Sequence, residues 1–394
     1  MSLHLDSGRD FRGGQRQVLC LLRGLQERGQ RVLLCCPRGG PLFARAGAAG
    51  IPCRALTLRG GLDFPSAVRL ARLVAGGDFD LVHAHDAHSH SIARAAQGIC
   101  RHPALSQNLF VTRRSVGAAD GAVARFKYNQ PGTHYIAISM QVRAVLLRLG
   151  VDARRIAVVP SGVDTERLAA VRQAADPDPW GLGARRRRVV GTVGHLSREK
   201  NQALLLDAFA RLRAAHHSDA HLLLAGDGPL RHALERRARE LGLGPHVTFA
   251  GELDDVAPAY AAMHVFALSS DVEGLCTAAL DAMAAGVPVV TTAAGGILDI
   301  ATHGASALVV PTGDARALSG AFSRLLREPP LVAKLVEGGR RVARLHSIDH
   351  MVEGTIEAYT HLGRWPESAT LPDAASPGGA TLPAAPAARR APTT

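Results

Sequence analysis

A chain of 394 residues, 47% hydrophobic and 20% charged, is too long for one ordinary core. It suits two domains of roughly 150–200 residues each and is not broadly disordered. Its net charge of +12 includes only three lysines (Lys127, Lys200, Lys334), the other basic residues being arginines spread over many segments. That spread, without an arm of interleaved aromatics, excludes nucleic acid as the expected partner and is compatible with contact at an anionic membrane surface.

The chain enters a strand-like Leu3-His4-Leu5 almost at once, so no signal peptide is expected. No run of about 18 apolar residues reads as a membrane span. The six cysteines (Cys20, Cys35, Cys36, Cys53, Cys100, Cys276) form no C-x-x-C pair, which fits free thiols in a reducing, cytoplasmic compartment. Arg12-Gly13-Gly14-Gln15 is a Gly-rich loop opening a helix over 15–28, where backbone can approach a ligand closely. Strands are expected over 2–5, 31–36, 81–84, 108–112, 134–138 and 156–159, with a further amphipathic helix over 66–74. Strand and helix alternating in this way argue for an α/β domain with a parallel sheet covered on both faces.

Within it, His83-Ala84-His85-Asp86-Ala87-His88-Ser89-His90 comes near a metal-hydrolase order, with the Asp one residue early. The cluster is open to three readings: a metal site, a hydrogen-bonded histidine group, or an acceptor-side role for His85 or Asp86. A break follows at Asp176-Pro177-Asp178-Pro179-Trp180-Gly181 and the arginine run 185–188, which reads as an exposed connection. The alternation then restarts, with strands expected over 189–193, 221–225, 246–249, 265–268 and 288–291 and helices over 201–213, 230–241 and 276–285. An amphipathic helix over 347–362 closes the folded part. From 366 onward Pro, Ala, Thr and Gly dominate, and disorder is expected.

Ligands of open parallel sheets bind at the carboxyl ends of the strands. No loop there carries G-x-G-x-x-G followed by a suitably spaced acid, so a dinucleotide-dependent dehydrogenase is not expected. The most informative stretch runs from Ser269 to Val290. A strand ends, Glu273-Gly274 turns, and a helix starts near Cys276 with Thr277 beside its free N–H groups, a place for a diphosphate. Glu273 and Asp281, eight residues apart, could bracket one polyol; alternatively Glu273 caps the helix and Asp281 lies on the surface. In Gly194-His195-Leu196-Ser197-Arg198-Glu199-Lys200-Asn201, Lys200 and a helix start make a phosphate clamp, unless this is an ordinary strand–helix turn. Gly226-Asp227-Gly228-Pro229 is a third turn, unremarkable by itself.

Together these segments resemble family 4 of the retaining glycosyltransferases, over about residues 1–365. The block Glu273-Gly274-Leu275…Asp281-Ala282-Met283-Ala284…Gly286-Val287-Pro288-Val289 carries the resemblance most specifically. The loop at Gly13-Gly14, Val159-Pro160-Ser161-Gly162-Val163-Asp164, Gly194…Lys200-Asn201, Gly226-Asp227-Gly228-Pro229-Leu230 and Ala294-Gly295-Gly296-Ile297 add to it. The resemblance implies the α/β GT-B fold: two Rossmann-like domains with parallel sheets facing a central cleft. The expected division is an acceptor-side domain 1–165, a linker 166–188, a nucleotide-sugar domain 189–346, a helix 347–365 packing back on the first domain, and a tail 366–394.

It further implies that Lys200 binds the donor diphosphate, Asp281 the ribose hydroxyls and Glu273 the transferred sugar. Backbone at Gly274, Leu275 and Cys276, with Thr277, would contact sugar and phosphate. Main chain at Gly251 and Leu253 would hold the base, with Val256 and Tyr260 nearby. Gly194, His195, Gly226 and Asp227 would border the donor, and Gly13 and Gly14 would approach it from the other domain. Three departures stand out: His195 where the family often has Arg, Asp281 where it usually has Glu, and Arg113-Arg114 where a histidine often follows the strand. Arg113 is thereby a candidate for the acceptor or the donor sugar, and His85 for the acceptor side. The implied reaction moves a sugar from a nucleotide-diphosphate donor to a cell-envelope glycolipid or polysaccharide acceptor, with retention and without metal or other cofactor. A silent sugar-nucleotide-binding partner and a sugar-nucleotide epimerase are the rival readings.

Overall fold

The computed structural model describes residues 1–58, 63–117, 121–171, 179–182, 187–215 and 218–363. Residues 172–178 and 183–186 of the expected connection and the whole of the expected tail therefore lie outside the described residues. Thirteen strands are described: β1 Ser2–Leu5, β2 Val32–Cys36, β3 Cys53–Ala55, β4 Leu81–Ala84, β5 Leu109–Arg113, β6 Thr133–Ala137, β7 Ile156–Val158, β8 Arg188–Val193, β9 Ala220–Ala225, β10 Val247–Gly251, β11 Val265–Leu268, β12 Val289–Thr292 and β13 Leu308–Val310. They form two sheets, a seven-stranded one in the order β3-β2-β1-β4-β5-β6-β7 and a six-stranded one in the order β10-β9-β8-β11-β12-β13. All the pairings are parallel.

The central strands are near-continuous apolar runs because helices cover both faces of each sheet. β1 and β4 lie side by side in register, His4 opposite His83. In both sheets the chain order reverses beside the first strand, between β1 and β4 and between β8 and β11. Such switch points open a crevice at the carboxyl edge, and the loops considered below all lie there. β3 and β13, both three-residue edge strands, were not expected from the sequence. Arg188, expected in an exposed connection, instead starts β8 and pairs with Asp219 at 3.0 Å.

Of three clusters of buried apolar side chains among the described residues, one runs from Leu3, Val82 and Val111 in the first half to Leu268, Leu275 and Met283 in the second. The last helix, Ile348–Leu362, follows the second half but lies on the first half's helix Gly13–Glu27. Val352 sits so close to Gly24 that a Cβ there would stand 2.5 Å from its methyl carbon. Arg28 holds Asp349 and Glu353 at 2.9 and 3.3 Å. The fully buried Tyr359 brings its hydroxyl within 2.6 Å of His83 Nδ1, under the first sheet. Replacing Tyr359 by Phe leaves that ring nitrogen buried without this partner, and urea unfolding should show a loss of about 1–3 kcal/mol. An unchanged midpoint would mean the hydroxyl adds nothing to docking of the helix.

Candidate active site

After β8 the chain turns through Gly194 and His195, makes one 3-10 turn at Arg198–Lys200, and reaches Asn201 in the left-handed region (φ 45°). Asn201 caps the helix Gln202–Ala214, its side chain accepting from the Leu204 N–H. That turn aims Lys200 across to the loop after β11, where its ammonium lies 2.6 Å from Glu273 Oε1. The same oxygen accepts a 2.6 Å hydrogen bond from Ser270 Oγ. The two loops are stitched further by Ser269 Oγ donating to the Lys200 carbonyl (3.0 Å) and Asp271 N–H to the Glu199 carbonyl (2.9 Å). The Asn201 amide also donates to the Asp271 carboxylate at 3.0 Å. Burial opposes the charge on Lys200, but the neighbouring Cys276 sulfur and Glu273 carboxylate outweigh it, so its pKa stands above the ordinary lysine value. Glu273 is only 5% exposed and spends its oxygen on Lys200 and Ser270, so it is not a cap of the following helix.

That helix, Thr277–Ala284, is entered through Cys276 at φ +71°, a conformation that non-glycine residues rarely hold. Its first turn carries no acidic residue and no side-chain cap, so its N–H groups are available to an anion. Leu275 and Cys276 are buried, and burial pushes the Cys276 thiol up to about 12, which makes it packing rather than a nucleophile. Asp281 is not on the surface. It is 3% exposed, and Arg16 of the first half reaches over to it at 3.1 Å. Burial raises the Asp281 pKa above the usual carboxylate range, with Arg16 acting against the shift.

The other loops of the second half pack backbone to backbone. Gly226 (φ +136°) admits no side chain, since a Cβ would stand 2.0 Å from the Gly194 carbonyl oxygen. Its N–H donates to the Gly251 carbonyl at 2.7 Å, and the Leu196 N–H to the Asp227 carbonyl at 3.0 Å. Asp227 also holds Arg231 at 2.8 Å, and the His195 carbonyl accepts from Gln202 at 2.9 Å. The loops bearing Gly194, His195, Gly226, Asp227 and Gly251 are thus brought together, with Leu253 and Val256 half-buried beyond them. Tyr260 is fully buried against Phe266, and its hydroxyl donates to the Ala278 carbonyl at 3.1 Å.

The first half meets this edge directly. A Cβ on Gly13 would lie 3.7 Å from Thr277 Oγ1, one on Gly14 3.7 Å from Arg114 Cδ, and one on Gly274 2.2 Å from the Arg114 carbonyl oxygen. Asp299 accepts from the Met140 N–H at 2.6 Å, while Arg45 and Arg167 pair with Asp254 and Asp255, both at 2.7 Å. Arg113 is not at the cleft. Its guanidinium turns inward to Tyr128 Oη (2.7 Å) and the carbonyls of Ser115 (3.1 Å) and Gly117 (2.9 Å), where it braces the loop after β5. Arg114, to which the sequence reading attached no role, occupies the place expected of its neighbour. Arg16 was missed as well.

His85 also faces inward. It joins His4 and His83 in a buried triplet in which one nitrogen from each ring lies within 4.8 Å of the others, and His4 was not foreseen. His85 Nε2 and His4 Nδ1 are 3.0 Å apart, His4 Nε2 meets Ser2 Oγ at 2.9 Å, and His83 Nε2 meets Thr112 Oγ1 at 2.7 Å. Burial lowers the His4 pKa to about 3 and those of His83 and His85 well below the ordinary value, so all three rings are neutral. His88 is exposed and Asp86 caps the helix Ala87–Ile99, so the order seen in sequence does not assemble around one point. Among the described residues these hydrogen bonds account for every triplet ring nitrogen except His85 Nδ1, which favours the hydrogen-bonded histidine group over a metal site.

Two family models match the chain, one described as "Glycosyl transferases group 1" over residues 178–342 and one as "Glycosyltransferase Family 4" over residues 11–167. A phosphatidyl-myo-inositol mannosyltransferase of Mycobacterium leprae is 28% identical over 355 residues, 85% of this chain and 89% of that protein. The lipopolysaccharide core biosynthesis glycosyltransferase LpsE of Rhizobium meliloti is 35% identical over 151 residues. That match spans 38% of this chain and less than half, 43%, of the relative's length. Among solved structures, Anabaena HepE in complex with UDP and glucose superposes with a TM-score of 0.77 at 20% identity, covering 91% of this chain and 99% of that one. WaaG, a glycosyltransferase involved in lipopolysaccharide biosynthesis, gives 0.68 at 16% identity, with 91% and 99% covered. The two Rossmann-like halves are therefore those of the GT-B fold.

Gly274→Ala tests the junction of the halves, because the added Cβ would strike main chain, which cannot swing aside. Small-angle scattering should show an expanded particle with unchanged circular dichroism. A particle of wild-type size would mean the two loops need not touch.

Proposed function

Since this chain belongs to the group 1 glycosyltransferases of family 4, we propose that it transfers a sugar, with retention, from a nucleoside-diphosphate sugar to a lipid-linked or saccharide acceptor of the cell envelope. The observation that carries the reading is the Lys200–Glu273 pair beside the uncapped start of the helix Thr277–Ala284. An ammonium and a row of backbone N–H groups suit a diphosphate, and a buried carboxylate next to them suits a sugar hydroxyl. Asp281 would take the ribose hydroxyls, with Arg16 opposing the effect of its burial. The stacked backbone at Gly226 and Gly251 would receive the base. The likeness to HepE, whose structure holds UDP and glucose, supports a nucleotide donor. The names of the leprosy and rhizobial relatives support an envelope acceptor.

In this mechanism the bond from the anomeric carbon to the diphosphate oxygen breaks as the acceptor oxygen approaches on the same face. The acceptor proton passes to the departing diphosphate. Lys200 and the helix start stabilise the charge growing there, more strongly in the transition state than in the bound donor. Contact between the halves would exclude water from the intermediate. No metal is assigned a role in this mechanism. His85 and Arg113, being turned inward, serve the architecture of the first half.

The acceptor's setting bears on location, proposed as the cytoplasmic face of a membrane. No described helix is long and apolar enough to cross a membrane. Val123 and Phe126 are 83% and 72% exposed, one helical turn apart on Ala122–Tyr128 with Arg125 between them. Such a surface fits shallow contact with anionic lipid. The double variant Val123→Ser, Phe126→Ser should lower cosedimentation with phosphatidylglycerol vesicles, and equal cosedimentation would remove this face from consideration.

A thermal-shift screen against UDP, GDP, ADP and their sugar conjugates should reveal one base family by a rise of several degrees. Lys200→Ala should weaken binding of that diphosphate about ten-fold or more. Glu273→Gln keeps a partner for Ser270 and should lower kcat about 100-fold with a small change in affinity. EDTA should leave turnover as it was. Full activity in both variants would sink the site, and a donor bound but never consumed with any acceptor would mark a silent partner.

A further inference from the structure

We propose that Arg114 is a second cation for the donor's diphosphate, supplied from the first half so that the phosphate site is complete only when the halves meet. This rests on the donor-binding reading above and adds a residue to it.

The argument begins with what the side chain lacks. Arg114 follows β5, is half-buried, and among the described residues makes no ion pair. Its one hydrogen bond is a long contact from Nη1 to Ser161 Oγ at 3.4 Å, and its buried Nε has no partner. The neighbouring Arg113 shows the contrast, with three hydrogen bonds of 2.7–3.1 Å from the same type of group. A guanidinium has five donors in a planar fork, and leaving them unmet in a half-buried place is costly. Burial pulls the Arg114 pKa down to about 10, with Asp6 and Cys20 opposing the shift, so the group remains charged at neutral pH. Asp6, although close enough to act on its charge, makes no ion pair with it, its oxygens accepting from the Gly8 N–H (2.8 Å) and the Gln15 amide (3.1 and 3.3 Å).

Position supplies the rest. The Arg114 stem passes Gly14, its carbonyl abuts Gly274, and the preceding Gly13 faces Thr277. Arg114 is therefore flanked by the backbone turns that open one helix in each half, Gly13–Glu27 and Thr277–Ala284. Neither of those helices has an acidic residue in its first turn. Lys200 is already paired with Glu273, the residue before Gly274. A diphosphate carries more negative charge than one paired ammonium offsets. The unpaired fork of Arg114 is the nearby group whose chemistry fits the remainder, by two parallel N–H···O bonds to one phosphate.

The test is calorimetric titration of the wild type, Arg114→Met and Arg114→Lys with UDP and GDP, and with UMP and GMP. Methionine keeps the apolar stem beside Gly14 and removes the charge. The proposal expects Arg114→Met to weaken the diphosphate about ten-fold while the monophosphate shifts much less, and Arg114→Lys to recover part of the loss. Unchanged diphosphate affinity overturns it, and so do equal losses for mono- and diphosphate with a lowered melting temperature, the mark of a brace. Intact diphosphate binding with a raised acceptor KM also overturns it and reassigns Arg114 to an anionic acceptor. Wild-type protein that binds none of the four nucleotides would overturn the donor site as a whole, a result separable from failure of Arg114 alone.

Discussion

The Lys200–Glu273 contact joins two loops that lie far apart in sequence and next to each other at the switch point of the second sheet. Taking both charges out of water is costly, and a 2.6 Å geometry with Ser270 on the same carboxylate oxygen is what makes the arrangement tolerable. The pair constrains much around it. Asn201 must turn left-handed to aim the lysine, Cys276 must do the same to release the helix start, and Gly274 must be bare for the opposite half to arrive. Two of the three described non-glycine residues with positive φ, Asn201 and Cys276, lie at the cleft, where backbone strain tends to gather.

The junction between the halves has a different character. Arg45–Asp254 and Arg167–Asp255 are exposed pairs, the kind that contribute little in water. Arg16–Asp281 is different, because its carboxylate is buried and would be stranded if the halves parted. The halves thus share weak ion pairs at the rim and a pair with a buried carboxylate inside, beside the apolar cluster that runs from one to the other.

The sequence made the two parallel sheets legible, since unbroken apolar strands such as β9 and β11 leave little choice of architecture. The edge strand β3 was hidden because Arg54 interrupts its three residues with a charge, whereas β7, equally short, was legible. Within the site, Glu273, Lys200 and Asp281 could be picked out because their spacing and flanking glycines form a local pattern. Arg16 could not, since its partner lies 265 residues away and nothing around it announces a cross-half contact. His4 was hidden for a related reason: its meaning comes from the β1–β4 register. Arg113 and Arg114 stand side by side, and which one turns inward depends on where β5 ends, a boundary that sequence patterns place only to within a few residues.

The last helix has a consequence for how such proteins exchange parts. Ile348–Leu362 follows the second half in the chain yet belongs by its contacts to the first, clasping Gly24, Arg28 and His83. A recombination that swapped everything after the first half would bring a foreign helix onto the home sheet. The natural module of exchange is therefore an interior segment, with the two ends of the polypeptide inherited together. A chimaera designed for a new donor should graft between Val163 and Ser347, where the chain crosses beside itself, and leave both flanks from one parent.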